Sequence, residues 1–242
     1  MFTISEAPLG PMTKCFRAPN QCWIVMSETP DETENPQQGE PPRAPAGPVR
    51  KRPRPGERRV QILETLASML EQPDADRITT AALAARLQVS EAALYRHFAS
   101  KAQMFEGLIE FIESSLFTLI NQIVERETSA ALQARRITQV VLQFGEKNPG
   151  MTRVMVGDAL VFENERLGAR MNQLFDRIES QLRACLRSAS EVAGSPTPTV
   201  DANALASALV ALIAGRLHRF ARTGFRRSPL ENLDLALDRL TH

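Results

Sequence analysis

Apolar residues recur at the spacing of an α-helix from residue 57 towards the carboxyl terminus. The first predicted helix spans 57–71, and its apolar side chains share one face: Ile62, Leu63, Leu66, Ala67 and Leu70. The same spacing predicts further helices over residues 79–87, 91–98, 101–127, 130–147, 151–160, 164–187, 201–222 and 229–240. Residues 188–200 are predicted to form a loop, and Asp201 to cap the helix after it. The fold class is therefore predicted to be all-α, with about nine helices.

Hydroxyl side chains mark the starts of the short helices near the front of this pattern. Thr79 and Thr80 can cap the second helix, Ser90 can cap the third, and Ser100 with Gln103 forms a capping box for the fourth. We expect the apolar residues between these helices to be buried: Leu83, Leu87, Val89, Leu94, Phe98 and Phe105. Two short helices joined by a tight turn present a helix to the DNA major groove, although other small helical domains also contain such hairpins.

The segment from Val89 to Lys101 resembles the recognition helix and the following helix start of TetR-type regulators. Ala99 stands where that family usually has proline, and a change at this loop position should not alter the fold. The resemblance implies a three-helix DNA-binding unit with a helix-turn-helix over residues 57–103, called the head below. It also implies a larger helical dimerisation and partner-binding unit over residues 104–242, called the body.

The first 56 residues differ in composition from the rest of the chain. Between Ser27 and Pro48 there are six prolines, five acidic residues and one basic residue. Such a segment cannot bury enough apolar surface to offset chain entropy, so residues 1–56 are predicted to be a disordered acidic, proline-rich tail that ends in a basic arm. Met26 is a plausible native start, in which case residues 1–25 are not part of the native protein.

The basic arm over residues 49–59 has six basic residues against one acidic residue, directly before the first helix. Beside a helix-turn-helix, such an arm is expected to lie along phosphates or in the adjacent minor groove. The alternative is a solvated run that serves solubility. The DNA-binding candidates in this arm are Arg50, Lys51, Arg52 and Arg54.

Composition excludes several other classes of protein. The chain has 242 residues, of which 43% are hydrophobic and 24% charged, as in soluble globular proteins. No stretch approaches the roughly 18 to 20 apolar residues that cross a membrane, and no secretory signal is recognisable. The three cysteines show no metal-binding or disulfide spacing, which indicates a reduced cytoplasmic protein without a metal site. Nucleotide-binding and zinc-protease motifs are absent, so we predict neither an enzyme nor a cofactor.

The docking geometry of helix-turn-helix proteins assigns further DNA-binding candidates. The start of the third helix is expected to face base edges through Ser90, Glu91, Ala92 and Ala93. Residues placed like the phosphate-binding residues of TetR heads are Thr79, Thr80, Tyr95, His97 and Lys101. Arg96 lies in the same segment and is a further DNA-binding candidate. The Tyr95 ring has an alternative place in the core of the head.

Small residues form a stripe on the penultimate predicted helix: Ala204, Ala208, Ala211 and Gly215. Together with Leu209 and Leu212 they would let another helix approach closely, either from the same subunit or from its symmetry mate. TetR relatives pair their two carboxyl-terminal helices into a four-helix dimer interface. A two-fold homodimer reads a palindrome, with recognition helices about 34–36 Å apart.

Several blocks of sequence, most of them outside the head, resemble the nucleoid occlusion factors within the TetR family. The matching blocks are residues 77–81, 89–98, 108–113, 145–150, 159–163 and 171–182. The resemblance is dense up to Leu186 and fades around residues 191–201. It implies a nucleoid-associated homodimer that binds palindromic double-stranded DNA sites. Such a dimer, when bound to DNA, engages the carboxyl-terminal tail of the division GTPase FtsZ and prevents Z-ring assembly and septum formation over the nucleoid.

The same resemblance implies a groove for the FtsZ tail between the fourth and fifth helices. The positions concerned are Phe111, Ser115, Val140, Lys147 and Asn148. An acidic, partly apolar tail suits a basic residue beside apolar walls, while ordinary helix packing is the alternative role for each residue. Leu119 stands where we expect an arginine in relatives, and the loss of that charge would weaken or redirect tail binding.

A transcriptional repressor released by a small ligand is the alternative function. Most TetR-like proteins use the larger domain as an apolar pocket with a few polar groups that orient the ligand. After Leu108 the chain contains neither tryptophan nor tyrosine. This composition disfavours a small-molecule ligand.

Overall fold

The computed structural model describes residues 56–72, 78–161 and 163–240. Within these ranges all regular secondary structure is helical, which confirms the predicted fold class. The α-helices are α1 (Glu57–Leu70), α2 (Thr80–Leu87), α3 (Glu91–Tyr95), α4 (Lys101–Arg126), α5 (Ala130–Lys147), α6 (Pro149–Met155), α7 (Glu165–Val192), α8 (Pro198–Arg222) and α9 (Leu233–Leu240). A 3₁₀ turn, Asp158–Leu160, lies between α6 and α7. The predicted acidic tail and basic arm up to residue 55 lie outside the described residues.

The predicted hydroxyl caps are present at the starts of α2, α3 and α4. The side-chain oxygens of Thr79, Ser90 and Ser100 each accept from the backbone N–H three residues later, at 3.1, 3.3 and 3.2 Å. Gln103 reaches back as a capping box requires, but its side-chain oxygen accepts from the N–H of Ala99, at 2.8 Å. These bonds fix the residues at which α2, α3 and α4 begin.

Two short helices differ from the predicted bounds. Helix α3 ends at Tyr95 rather than at residue 98, because the N–H groups of His97 and Phe98 both donate to the Leu94 carbonyl and so tighten its last turn. Helix α6 begins two residues earlier than predicted, at Pro149, because proline suits the first position of a helix. Leu87 and Val89, which were expected to be buried, are only partly buried.

The bounds of α7, α8 and α9 also differ from the predicted ones. Helix α7 continues to Val192 and α8 begins at Pro198, so the predicted loop over 188–200 shrinks to residues 193–197. Asp201 lies in the first turn of α8 instead of capping it, and its carboxylate accepts hydrogen bonds from Ser195 and Thr197. Helix α9 begins at residue 233 rather than at 229.

The core of the body forms around one face of α4, which packs against α5 and α7. The fully buried side chains of that face follow a helical period: Met104, Phe105, Leu108, Ile109, Ile112, Leu116 and Ile120. Helices α7 and α8, joined by five residues, form the most extensive helix pair. Helix α4 continues from the end of the head into the body without interruption, so it links the two parts rigidly.

Close contacts at two glycines join α6 to α1 of the head and α5 to α8 within the body. A β-carbon at Gly150 would lie 2.0 Å from the carbonyl oxygen of Ala67, so α6 packs directly on the backbone of α1. A β-carbon at Gly145 would lie 2.4 Å from a methyl of Leu217, which brings the end of α5 against α8. The head therefore rests on the α5–α6 junction, and the last turns of α8 lie against that junction.

Helices α4 and α8 are long and apolar enough, by length and composition, to cross a membrane. This finding corrects the expectation that no stretch of the chain approaches that length. Each helix buries one face in the helical core, and this packing accounts for many of its apolar residues.

Candidate nucleic-acid interface and partner surfaces

The first turn of α3 lies on the surface of the head. Ser90, Glu91 and Ala92 are exposed and Ala93 is half-buried. Leu94 anchors the helix from its opposite side, since that side chain is fully buried. The first turn of α3, which carries the sequence-predicted base-reading residues, is therefore an accessible surface.

A polar network ties α2 to α3 beside this surface. The Thr80 hydroxyl donates to a carboxylate oxygen of Glu91 at 2.7 Å, and the Tyr95 hydroxyl lies 3.5 Å from the Thr80 oxygen. Tyr95 is 45% exposed, so its ring lies at the surface and not in the core of the head. Thr79 is exposed as well. The network holds the Glu91 carboxylate and the Tyr95 hydroxyl at the edge of the accessible turn.

Arg59 supports the end of α3, a role that sequence reasoning missed. Its guanidinium lies 4.3 Å from the centroid of the Phe98 ring and donates to the His97 carbonyl at 3.2 Å. Arg96 and His97 are both exposed next to this contact. In the sequence, Arg59 is the last residue of the basic arm, and this position indicates only its positive charge and not its contact with Phe98.

Lys101, a predicted phosphate contact, forms an ion pair with Glu163. The Lys101 side chain is 27% exposed and that of Glu163 is 12% exposed. The Lys101 ammonium also lies 5.7 Å from the centroid of the Phe105 ring. Glu163 lies just before the start of α7. No local pattern signals a partner so distant in sequence.

The predicted FtsZ groove residues fall into two groups. Phe111 and Ser115 lie one turn apart on α4 and are half-buried, as is Val140 on α5. Lys147 is exposed at the end of α5, and the side-chain amide of Asn148 donates to the Phe144 carbonyl at 2.8 Å. Leu119 is half-buried on α4.

Lys147 and Asn148 line a cavity of about 230 Å³ between α1 and the α5–α6 junction. The α1 side of this cavity carries two acids, Glu64 and Glu71. Burial raises the pKa of Glu64. An acidic peptide near Lys147 would therefore meet both an attractive charge and two opposing ones.

The small-residue stripe lies on the exposed side of α8. Ala204, Ala208, Ala211 and Gly215 are exposed, and a β-carbon at Gly215 would meet nothing within 4 Å. Leu212 is half-buried at the edge of the stripe. Leu209 is fully buried within its own chain, so we correct its assignment from partner contact to core residue.

The described part of the chain also contains a second cavity and a buried cysteine. A second cavity, of about 210 Å³, lies between α7 and the first turns of α8. Both cavities fall below the roughly 300–1,000 Å³ of typical ligand pockets. In the described part of the chain, no three histidine, cysteine or acidic side chains cluster as metal ligands. Cys185 is buried on α7, where burial raises the pKa of its thiol.

Two family models match this chain. Residues 62–108 match the bacterial regulatory proteins of the tetR family, and residues 126–242 match an SlmA-like "Tetracyclin repressor-like, C-terminal domain". The nucleoid occlusion factor SlmA of Vibrio cholerae is 53% identical over 178 residues, or 73% of this chain and 90% of the relative. SlmA of Photobacterium profundum is 52% identical over the same shares.

The chain belongs to the SlmA nucleoid occlusion factors of the TetR family. The resemblance inferred from blocks of residues is thereby confirmed. It is a DNA-binding regulator family, and the matched relatives are named for nucleoid occlusion or regulation rather than for an enzymatic reaction.

Solved structures share the fold at lower identity. A TetR family transcriptional regulator, PfmR from Thermus thermophilus, has a TM-score of 0.62 at 22% identity and covers 76% of this chain and 95% of its own. The regulator FadR from Bacillus subtilis, solved with stearoyl-CoA, has a TM-score of 0.61 at 12% identity and covers 75% and 96%. These likenesses concern the fold alone.

Proposed function

We propose that this SlmA-family protein binds palindromic chromosomal sites as a homodimer. When bound, it engages the carboxyl-terminal tail of FtsZ and blocks Z-ring assembly and septum formation over the nucleoid. Its place of action is the nucleoid in the cytoplasm. The observation that carries this proposal is the accessible first turn of α3, held in place by the Thr80–Glu91–Tyr95 network, in a chain of this family. Residues 57–103 act as the reading unit, and residues 104–242 as the dimerisation and partner-binding unit.

The head contacts DNA in two ways in this proposal. Ser90, Glu91, Ala92 and Ala93 face base edges, where the small alanines permit close approach and a carboxylate can accept from a cytosine amino group. The phosphate contacts are Thr79, Thr80, Tyr95, Arg96, His97 and Lys101, joined by the basic arm through Arg50, Lys51, Arg52 and Arg54. The exposed positions of Thr79, Tyr95, Arg96 and His97 around α3 support this division of roles.

Dimerisation uses the exposed side of α8. Ala204, Ala208, Ala211 and Gly215 let the α8 helix of a second protomer approach closely, and Leu212 adds apolar area at the edge. A two-fold dimer then places two α3 helices on one face of the duplex, one for each half-site of a palindrome.

The FtsZ tail binds along α4 and α5 in this proposal. Phe111 and Val140 supply the partly exposed apolar walls, Ser115 a hydroxyl, and Lys147 with Asn148 the polar end of the groove. Charge attraction to Lys147 would favour an acidic peptide. The acids across the neighbouring cavity and the uncharged Leu119 would weaken that attraction.

The test is a genome-wide map of the protein in its own cell, obtained by crosslinking and sequencing. Many sites across the chromosome, thinning towards the replication terminus, would support nucleoid occlusion, because division must be permitted where the terminus regions separate. One or two sites beside a transporter or enzyme gene would contradict it and favour a ligand-responsive repressor.

A further inference from the structure

The carboxyl-terminal end of α8 is strongly basic. Five arginines and no acidic residue occur between Gly215 and Ser228. Two of the five are engaged: Arg216 donates to the carbonyls of Pro229 and Glu231 at 2.9 and 2.8 Å, and Arg227 pairs with Glu231 at 3.0 Å. The fold itself therefore accounts for these two.

The other three arginines point to solvent: Arg219, Arg222 and Arg226, which we call the arginine cluster. All three are exposed, and among the residues that the structure describes none of them has a carboxylate partner within 4.0 Å. Arg226 donates to the Thr223 carbonyl at 3.0 Å, which leaves the rest of its guanidinium open. The positive charge of the cluster is thus uncompensated by the described part of the chain.

The arginine cluster lies at the end of the body that faces the head. Phe225, within the cluster, packs on Phe220 with ring centroids 5.2 Å apart. The guanidinium of Arg153 lies 5.4 Å from the centroid of the Phe225 ring and adds a fourth positive charge. Arg153 is on α6, one turn after Gly150, whose α-carbon abuts the backbone of α1. The cluster is therefore on the DNA-facing side of the body if the head binds DNA.

Helix α8 also brings the arginine cluster near the proposed two-fold axis. Arg219 and Arg222 extend the exposed stripe of α8 beyond Gly215 by four and seven residues, which keeps them on the same side of the helix. Both heads must face one duplex, so the basic ends of two α8 helices lie on the same side of the dimer. Like charges gathered there repel unless an anion lies between them.

The C-terminal dipole of α8 explains part of this charge but not all of it. Cations in the last turn of a helix interact favourably with its carbonyls, and Arg219 and Arg222 occupy that turn. Arg226 lies beyond the helix, and Arg153 belongs to a different one. Burial, and after it the nearby charge of Arg219, lower the pKa of Arg216, while the charge of Glu231 opposes this shift.

We propose that the arginine cluster is a second DNA contact, which binds backbone phosphates at the centre of the palindrome between the half-sites read by the two heads. The inference rests on the proposed function, since it requires a dimer bound to a palindrome. Phosphate contacts carry no sequence information, so the cluster adds affinity and salt dependence without changing which site is chosen. It also anchors the body to the duplex, whereas the α3 helices anchor only the heads.

The test compares the full-length chain with the R219Q/R222Q/R226Q variant by fluorescence anisotropy, on a palindromic duplex from the genome map and on a scrambled duplex. We expect the affinity for both duplexes to fall by the same factor, about tenfold or more near 0.1 M salt. The slope of log K against log salt should become shallower by about 0.9 for each phosphate that the variant no longer neutralises. Circular dichroism and sedimentation at the same concentrations check that the variant is folded and dimeric.

The matched control is R126Q/R177Q/R187Q, which removes the same charge from exposed arginines on α4 and α7. Its salt slope should equal that of the unmodified chain. Equal slopes and affinities for the cluster variant and this control would overturn the inference while leaving the proposed function intact. If the unmodified chain shows no preference for the palindrome, the proposed function fails instead. Loss of FtsZ-tail peptide binding by the cluster variant, with unchanged DNA binding, would also overturn the inference.

Discussion

The ammonium of Lys101, the first residue of α4, forms an ion pair with the carboxylate of Glu163, just before α7. Both side chains are largely removed from solvent, although Lys101 occupies a position from which TetR heads hold a phosphate. A DNA phosphate and Glu163 would therefore compete for one ammonium. The pair connects the proposed DNA-binding surface with the segment leading into the α7–α8 helix pair.

Glu163→Gln should raise DNA affinity by releasing Lys101. A partly exposed ion pair is worth up to about 1 kcal/mol, so we expect a gain of up to about fivefold for each half-site. Lys101→Ala should weaken binding to all sequences similarly and flatten the salt slope by about 0.9 for each phosphate that is no longer neutralised. Anisotropy titrations across a salt series measure both effects. A loss confined to one operator sequence would show that Lys101 reads bases.

Glu91→Ala should reduce sequence discrimination rather than overall affinity. A good base-edge contact provides about 1–3 kcal/mol of discrimination, and the exposed Glu91 carboxylate is held by the Thr80 hydroxyl in a position to make one. Binding to a scrambled duplex should not weaken, because the change removes a negative charge near phosphates. The control is Glu125→Ala, an exposed acid near the far end of α4. If the ratio of the affinity for the palindromic duplex to that for the scrambled duplex is unchanged, Glu91 does not contact base edges.

The start of each short helix was predictable because its cap is local. Thr79, Ser90 and Ser100 bond to N–H groups three residues away, and such bonds depend on sequence spacing alone. The ends were harder to predict. Helix α7 runs past residue 187 to Val192, where its apolar period has faded, and no buried apolar side chain marks that last turn.

Long-range partners were not predictable, because the spacing of residues along the chain does not show which distant side chains meet. Glu163 is 62 residues from Lys101, and only the packing of α4 beside the start of α7 brings them together. Leu209 was grouped with the small-residue stripe but faces the chain's own core, since one turn of α8 serves both the core and the exposed side. A single helical period cannot show which of two faces is covered by the same chain.

Ala208→Glu should separate the protomers without unfolding them. Ala208 is exposed on α8, so the isolated chain tolerates the change, whereas a two-fold interface would bring the two new carboxylates together at a cost of several kcal/mol. Sedimentation should then show monomers at concentrations where the unmodified chain is dimeric. Gln122→Glu, on the exposed side of α4, adds the same charge and should stay dimeric. If the Ala208→Glu and Gln122→Glu variants form dimers of equal strength, this face of α8 is not the dimer interface.

Gly150→Ala should destabilise the packing of head on body. Its β-carbon would lie 2.0 Å from the Ala67 carbonyl oxygen, so the backbones of α1 and α6 must separate, and we expect a loss of about 1–3 kcal/mol. Gly168→Ala is the matched control, because a β-carbon there meets nothing within 4 Å and should stabilise α7 by about 0.5–1 kcal/mol. Urea unfolding at one protein concentration measures both. Equal changes in the free energy of unfolding for the Gly150→Ala and Gly168→Ala variants would mean that the α1–α6 contact does not limit stability.

Lys147→Ala should weaken binding of an FtsZ carboxyl-tail peptide by about fivefold, the effect of one exposed charge pair, without changing DNA affinity. Glu71→Gln, which removes an acid across the same cavity, should tighten peptide binding, and Leu119→Arg should do so by adding a positive charge on α4. Arg126→Ala removes the same charge as Lys147→Ala but lies at the far end of α4 and should have no effect. Peptide titrations by anisotropy distinguish these cases. If the Lys147 and Arg126 variants bind the peptide equally, the tail does not bind at the α5–α6 junction, and the acids beside Lys147 would give the physical reason.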